Sequence, residues 1–169
     1  LNTMGEMNIA FIGEQRTPSR CGRLDQACAY GVTPVCMTFD GNEVSVKQLQ
    51  FKNTLYWVIA DLMAKKDTVR ILSDLNKCFP FANDEKEAMV QEALGKDNEE
   101  FIRRATEALA QGDNAQLGRV MVEFQENFDK KVAPASYEEL KAPVLHSVFE
   151  DERVKELVYG CKGVGSQGD

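Results

Sequence analysis

An acidic residue at the start of a short helix is the first feature of this chain that could do chemistry. The stretch Thr17-Pro-Ser-Arg-Cys-Gly-Arg-Leu-Asp-Gln-Ala-Cys-Ala-Tyr-Gly31 opens on turn formers, Pro18 and Gly22, and runs into a helical pattern from Leu24 to Tyr30. Asp25 therefore falls in the first turn of a helix, where unpaired backbone N–H groups and the helix dipole favour an acidic side chain. One fixed carboxylate in that position suits work on a substrate hydroxyl; it equally suits plain stabilisation of the helix terminus. A second candidate lies at the other end. Gly160-Cys-Lys-Gly-Val-Gly-Ser-Gln-Gly-Asp169 is rich enough in glycine for backbone amides to approach a ligand, or for a tight hairpin. It is not a phosphate-binding Walker A loop, because no Lys-Ser or Lys-Thr ends it. Lys65 and Lys66 read as exposed loop residues or ligand contacts, and His146, among Val144, Leu145 and Val148, as a partly buried scaffold histidine.

Composition narrows the chemistry. With 169 residues the chain is long enough for one good core or two small ones. The 20 basic and 27 acidic residues give a formal charge of -7 with no basic block, which argues against a nucleic-acid or anionic-membrane partner. A small-molecule ligand, even an anionic one, stays compatible. Five cysteines (Cys21, Cys28, Cys36, Cys78, Cys161) make no CxxC pair, and with a single histidine a zinc site is not expected. Free buried thiols in a reducing cytoplasm are expected instead. The most apolar run, Leu55–Ala64, is broken by Asp61 and is too short to span a bilayer. The chain begins at Leu1 and ends inside a glycine-rich run, so a piece of a longer protein, cut at both ends, is expected.

The elements that must position these groups can be read in order. Met4–Glu14 has the apolar pattern of the end of a packed helix. Val35–Phe39 reads as a strand, Asp40-Gly41 as a hairpin signal, and Glu43–Leu49 as the returning strand. Leu55–Ala60, rich in aromatic and β-branched residues, predicts a buried strand that delivers Asp61 and the stretch Lys65-Lys-Asp-Thr68. A boundary between two units is expected near Phe51–Thr54, giving residues 1–52 and 53–169. The rest is helical. Asp67 or Thr68 caps a helix bearing Val69, Leu72 and Leu75. Asp84 with Glu87 predicts a capping box before a helix that stops at Gly95, Asp97 with Glu100 a second before one that stops at Gly112, and Ser136 with Glu139 a third. Leu117, Met121, Phe124 and Phe128 form a stripe, Pro143 breaks or restarts the last helix, and Leu157-Val-Tyr159 is a brief strand. The expected class is α+β, with helices packed on one face of an antiparallel sheet.

In this order the pieces resemble the GHMP family of small-molecule kinases. Phe11-Ile-Gly-Glu14 followed by Cys21-Gly-Arg-Leu-Asp-Gln26 is similar to the segment that carries that family's metal carboxylate and catalytic aspartate, with Asp25 eleven positions after Glu14. Lys162-Gly-Val-Gly-Ser-Gln-Gly168 resembles the family's third motif, a glycine-rich loop near the active site; Gln167 and Asp169 depart from its usual small residues. The resemblance implies a two-domain GHMP-like fold, incomplete at both ends: residues 1–52 would close the N-terminal domain, and residues 53–169 would form the C-terminal domain, truncated in the third motif. It implies Asp25 as the catalytic group, Glu14 as the ligand of Mg2+, and Cys21, Gly22, Arg23 and Thr68 at the phosphate acceptor. Gly163, Gly165, Ser166 and Gly168 would lie at ATP. The first family motif and the Gly-Ser-Ser phosphate loop have no counterpart here, so these 169 residues alone are expected to be inactive.

The reaction implied is ATP-dependent phosphoryl transfer to a hydroxyl of a small molecule, with the wording CGRLDQ pointing to galactokinase-like and arabinokinase-like members and hence to a sugar. Such transfer needs mainly positioning and neutralisation of charge. The alternative is a non-catalytic relative that binds sugar or nucleotide and regulates a partner.

Overall fold

The computed structural model describes residues 2–18, 22–165 and 167. Among them the protein is mixed and rich in helix, with eight α-helices and one two-stranded antiparallel sheet. The chain divides into two compact units, Leu1–Gln50 and Phe51–Asp169.

In the first unit, helix α1 (Thr3–Glu14) starts at Asn2, whose side chain accepts the Gly5 N–H at 2.8 Å. This satisfies one of the donors a helix start leaves unpaired. Met7 is fully buried, Met4 and Phe11 on the same face are half-buried, and Ile9 and Ile12 are exposed. That inner face packs on a 3-10 helix, Asp25–Tyr30. Strands β1 (Val35–Asp40) and β2 (Glu43–Gln48) then form a hairpin in which Val35 faces Gln48 and Asp40 faces Glu43. Its two-residue turn is Gly41-Asn42, and Gly41 takes φ +56°, a value that suits glycine.

The second unit departs from the expected helices-on-a-sheet. Its opening is tied down by Lys52 N–H to the Leu109 carbonyl (3.3 Å) and the Asn53 amide to that of Gly112 (2.6 Å). Residues 55–67, however, carry no regular secondary structure. Leu55–Ala60 is not a buried strand: Tyr56, Val58 and Ile59 are each about nine-tenths exposed. Strand-forming side chains make a strand only when backbone groups find a partner, and no strand pairs with this segment among the described residues.

Helices pack on helices instead. Helix α2 (Thr68–Asn76) begins at Asp67, whose carboxylate accepts the Arg70 N–H at 2.9 Å. It buries Ile71 and Leu75 rather than Val69 and Leu72. Helix α3 (Glu85–Glu92) is capped by Asp84, while Glu87 reaches back to the Asn83 N–H at 2.6 Å. Gly95 does not stop it. The chain continues through one π turn (Ala93–Asp97) into α4 (Asn98–Gln111). Asp97 is accordingly helical and makes no cap; its carboxylate takes the Lys131 ammonium at 2.7 Å, and Glu92 across the π turn takes it at 2.8 Å. Glu100 pairs with Arg103 rather than closing a capping box.

Gly112 ends α4 in the left-handed conformation, and Asp113 caps α5 (Asn114–Lys131) through the Gln116 N–H. Helices α4 and α5 lie against each other, with Phe101 edge-on to Phe124 at 5.6 Å and Arg104 paired with Glu123. Phe128 and Val132 enter the core with Ile71, Ala93, Ala133 and Leu140. After a 3-10 turn (Ala133–Ser136) come α6 (Tyr137–Leu140), α7 (Pro143–Glu150) and α8 (Glu152–Leu157). Ser136 does not cap α6; its hydroxyl donates to Asp74 at 2.8 Å, and Glu139 holds Arg70 and the Asp67 N–H. Pro143 restarts the helix at its first position. Leu157 closes α8 instead of opening a strand, and only from Val158 does the backbone extend.

Candidate functional site

Asp25 stands, exposed, in the first turn of its 3-10 helix. The turn that presents it is held from within. The buried Gln26 amide, its nitrogen turned toward the chain, donates to the Gly22 and Arg23 carbonyls at 3.1 Å each. Arg23 is fixed as well: its guanidinium lies 4.3 Å from the centre of the Phe11 ring and donates to the Asn42 carbonyl at 2.9 Å. It thus clamps α1 to the hairpin turn rather than pairing with Asp25. Glu14, half-buried, is the last residue of α1, and the Thr17 hydroxyl donates to its Oε1 at 3.4 Å and to its carbonyl at 2.8 Å. Since α1 packs on the Asp25 helix, two adjoining elements carry the two expected carboxylates.

The second unit holds the other expected residues. Thr68 is half-buried at the first position of α2, and Asp61 accepts the Met63 N–H at 2.9 Å. The four free thiols described are unequal. Cys78 is buried, Cys36 and Cys161 half-buried and Cys28 exposed, against the expectation of burial for all. Cys21, Ser166 and Gly168 lie outside the described residues.

The glycine-rich loop is seated on α5. A Cβ at Gly118 would overlap the backbone of Tyr159, and one at Gly160 would overlap the Gly118 carbonyl, so two glycines allow one close crossing. Gly163 is buried; its N–H donates to Gln125 Oε1 at 2.7 Å. The neighbouring Lys162 ammonium stands 4.9 Å from the centre of Phe124 and donates to the Gly163 carbonyl. Burial pushes the Lys162 pKa down. Gly165 is exposed at φ +69°. The buried Gln167 Oε1 finds no hydrogen-bond partner among the described residues.

Behind Gln125 lies a polar chain that sequence reasoning missed. Gln125 Nε2 donates to Asp129 Oδ1 at 2.9 Å, and Asp129 Oδ2 faces His146 Nε2 at 2.9 Å. The Nδ1 of His146 faces the Ala142 carbonyl at 2.7 Å. Burial works against a charged imidazole here, but the Asp129 hydrogen bond, the Ala142 carbonyl and the Asp129 charge together raise the His146 pKa above its ordinary value. With Ala133, Pro134, Tyr137, Leu140 and Lys141, the His146–Asp129 pair lines an open depression of about 210 Å³. A signal for this chain did exist: Gln125 and Asp129 fall one helical turn apart beside the apolar stripe of α5.

Among the described residues, no group of three or more His, Cys, Asp or Glu could hold a metal ion, and no helix is long and apolar enough to cross a membrane. No protein-family model matches the chain, and neither the curated proteins nor the solved structures contain a match to it.

Proposed function

We propose that this chain belongs to an ATP-dependent kinase of the GHMP type, which transfers a phosphoryl group to a hydroxyl of a small molecule, a sugar by preference. The observation that carries the reading is the pairing of elements in the first unit. An exposed Asp25 heads a helix whose turn is pinned by Gln26, and that helix packs on the one that ends at Glu14.

Each residue has a definite task in this reading. Asp25, open to solvent, receives or orients the proton of the acceptor hydroxyl as the oxygen attacks phosphorus. Its place at a helix start supplies local N–H dipoles without burying it. Glu14 offers one carboxylate, and a magnesium ion that keeps most of its waters needs no more than one or two from the protein, the rest coming from phosphate oxygens. Glu14 would be the protein's one ligand to such an ion, which would neutralise charge on the nucleotide phosphates. Gly22 and Arg23 hold the turn beside the acceptor; the resemblance assigns the acceptor to Cys21 as well and, by its place in the chain order, to Thr68. Gly163 and Gly165, with Ser166 and Gly168, form the loop assigned to ATP, where Lys162 adds a desolvated positive charge. Free thiols suit a reducing, cytoplasmic setting.

A thermal-shift screen against sugars with Mg-ATP, followed by a turnover assay on each hit, tests this reading. It is run on these 169 residues and on a chain extended at both ends. Turnover in the extended chain is the expected result. Shifts without turnover in either chain would replace the kinase by a regulatory binder, and the absence of any shift would remove both.

A further inference from the structure

We propose that His146 and Asp129 act through Gln125 as positioning residues that set the glycine-rich loop at Gly163, so that the protonation of one histidine is transmitted to one loop amide. The geometry leaves little choice of orientation. Gln125 is almost fully buried, at 4% exposure. Its carbonyl must face the Gly163 N–H, a donor, and its NH2 must face the Asp129 carboxylate, an acceptor. Both ring nitrogens of His146 also face acceptors, the Asp129 carboxylate and the Ala142 carbonyl, so the doubly protonated ring satisfies both at once.

Loss of one proton takes a ring donor away from one of these two acceptors. If Nε2 loses it, Asp129 keeps only the Gln125 amide and is free to turn, and Gln125 moves with it. If Nδ1 loses it, the strain falls at Ala142, which caps α7 in a left-handed conformation (φ 38°) that alanine rarely takes. Its carbonyl also accepts the His146 N–H at 3.1 Å. The other charged and titratable groups that line the depression with His146 and Asp129 are Tyr137 of α6 and Lys141 just after it. Lys141 is held by Glu138 at 3.0 Å. Among the described residues, no second carboxylate lines the depression to take the place of Asp129. On the loop side Gly163 is closely surrounded. A Cβ there would crowd Leu145 of α7 and the Gln167 side chain at 3.1 and 3.2 Å. A shift of Gln125 acts directly on the loop through the 2.7 Å hydrogen bond that its Oε1 accepts from the Gly163 N–H. Any consequence for turnover rests on the function proposed above; the coupling itself does not.

Amide and histidine-ring NMR signals of the full chain, followed from about pH 5 to about pH 8, where histidine titrates, test the coupling. The Gly163 amide should move with the midpoint of the His146 ring. In His146→Gln, which can donate to Asp129 but does not titrate, it should stay fixed over that range. In Gln125→Met, which keeps the volume, His146 should still titrate while Gly163 no longer follows and exchanges its amide proton at least about tenfold faster. A Gly163 signal that stays still in the native chain while His146 titrates overturns the proposal, as does one that follows His146 undiminished in Gln125→Met. The native titration alone decides if either variant fails to fold. None of these readouts needs nucleotide, so a silent kinase assay of the extended chain beside a moving Gly163 signal would sink the proposed activity and leave the relay intact.

Discussion

Asp25 and His146 are the polar centres of two units, and they are built in opposite ways. Asp25 is exposed; Gln26 holds its turn from within, by bonds to residues no more than four positions away, and the clamp from Arg23 to Asn42 adds a single longer tie. His146 is held from two helices, and the chain of bonds that begins at its ring ends on a loop amide 38 residues beyond Gln125. A group supported locally can be replaced with little cost to the fold. A group supported across the fold cannot, because each partner left behind is a polar atom already out of water. Replacing Asp25 should therefore cost activity far more than stability, and replacing a member of the His146 chain should cost stability.

The largest effect expected from breaking this comparison is on turnover. Asp25→Asn keeps shape and removes the charge and the proton acceptor. Transfer by a full-length, active form should fall by about a hundredfold or more, with the melting temperature nearly unchanged. A rate within about tenfold of the native one would remove Asp25 from the chemistry.

Next in size is Gly118→Ala. In an open helix this change stabilises by about 1 kcal/mol. Here the added methyl would enter the Tyr159 backbone, and a net loss of about 1–3 kcal/mol in urea unfolding is expected. A neutral or stabilising result would show that the loop yields easily, and the contrast with the first unit would shrink.

Acid-base behaviour gives a smaller effect with a definite sign. The folded-state pKa of His146 is raised above 6.5, so its contribution is fully present below about pH 6.5 and is lost as pH rises through the folded value. Because the ring is partly exposed, screening should keep this to under about 1 kcal/mol. Melting temperatures measured on both sides of that value should show a drop in the native chain and none in His146→Gln. The smallest effect belongs to Val58→Lys, in the segment without regular structure. It should change stability by no more than about 0.5 kcal/mol, by urea unfolding, while lowering light scattering at high concentration.

What could be read from the residues follows the same division. Asp67, Asp84, Gly112 and Pro143 mark helix ends through chemistry confined to one turn, and each was legible. Gly95 and Asp97 were not. They looked like a stop and a new start, yet Lys131 draws Asp97 and Glu92 together from the far end of α5, and the helix runs on through a π turn. Leu55–Ala60 has strand-forming residues, but pairing is a property of two segments, and its own side chains could not say whether a partner exists. At the candidate sites, the place of Asp25 in a first helical turn was readable; the clamp on Arg23 and the bonds of Gln125 were not, because each depends on residues distant in sequence.

Trp57 gives the loose segment an optical consequence. It is the only tryptophan in the chain, and it is 58% exposed in the folded protein. Its emission should already be that of a solvated indole, open to collisional quenchers, so denaturant has little left to change. Unfolding of the helices would pass almost unseen by tryptophan fluorescence while far-ultraviolet circular dichroism recorded it in full. The same property makes the indole a gauge of anything that comes to cover residues 55–63. A shift of its emission to the blue would announce that contact and nothing else in the molecule.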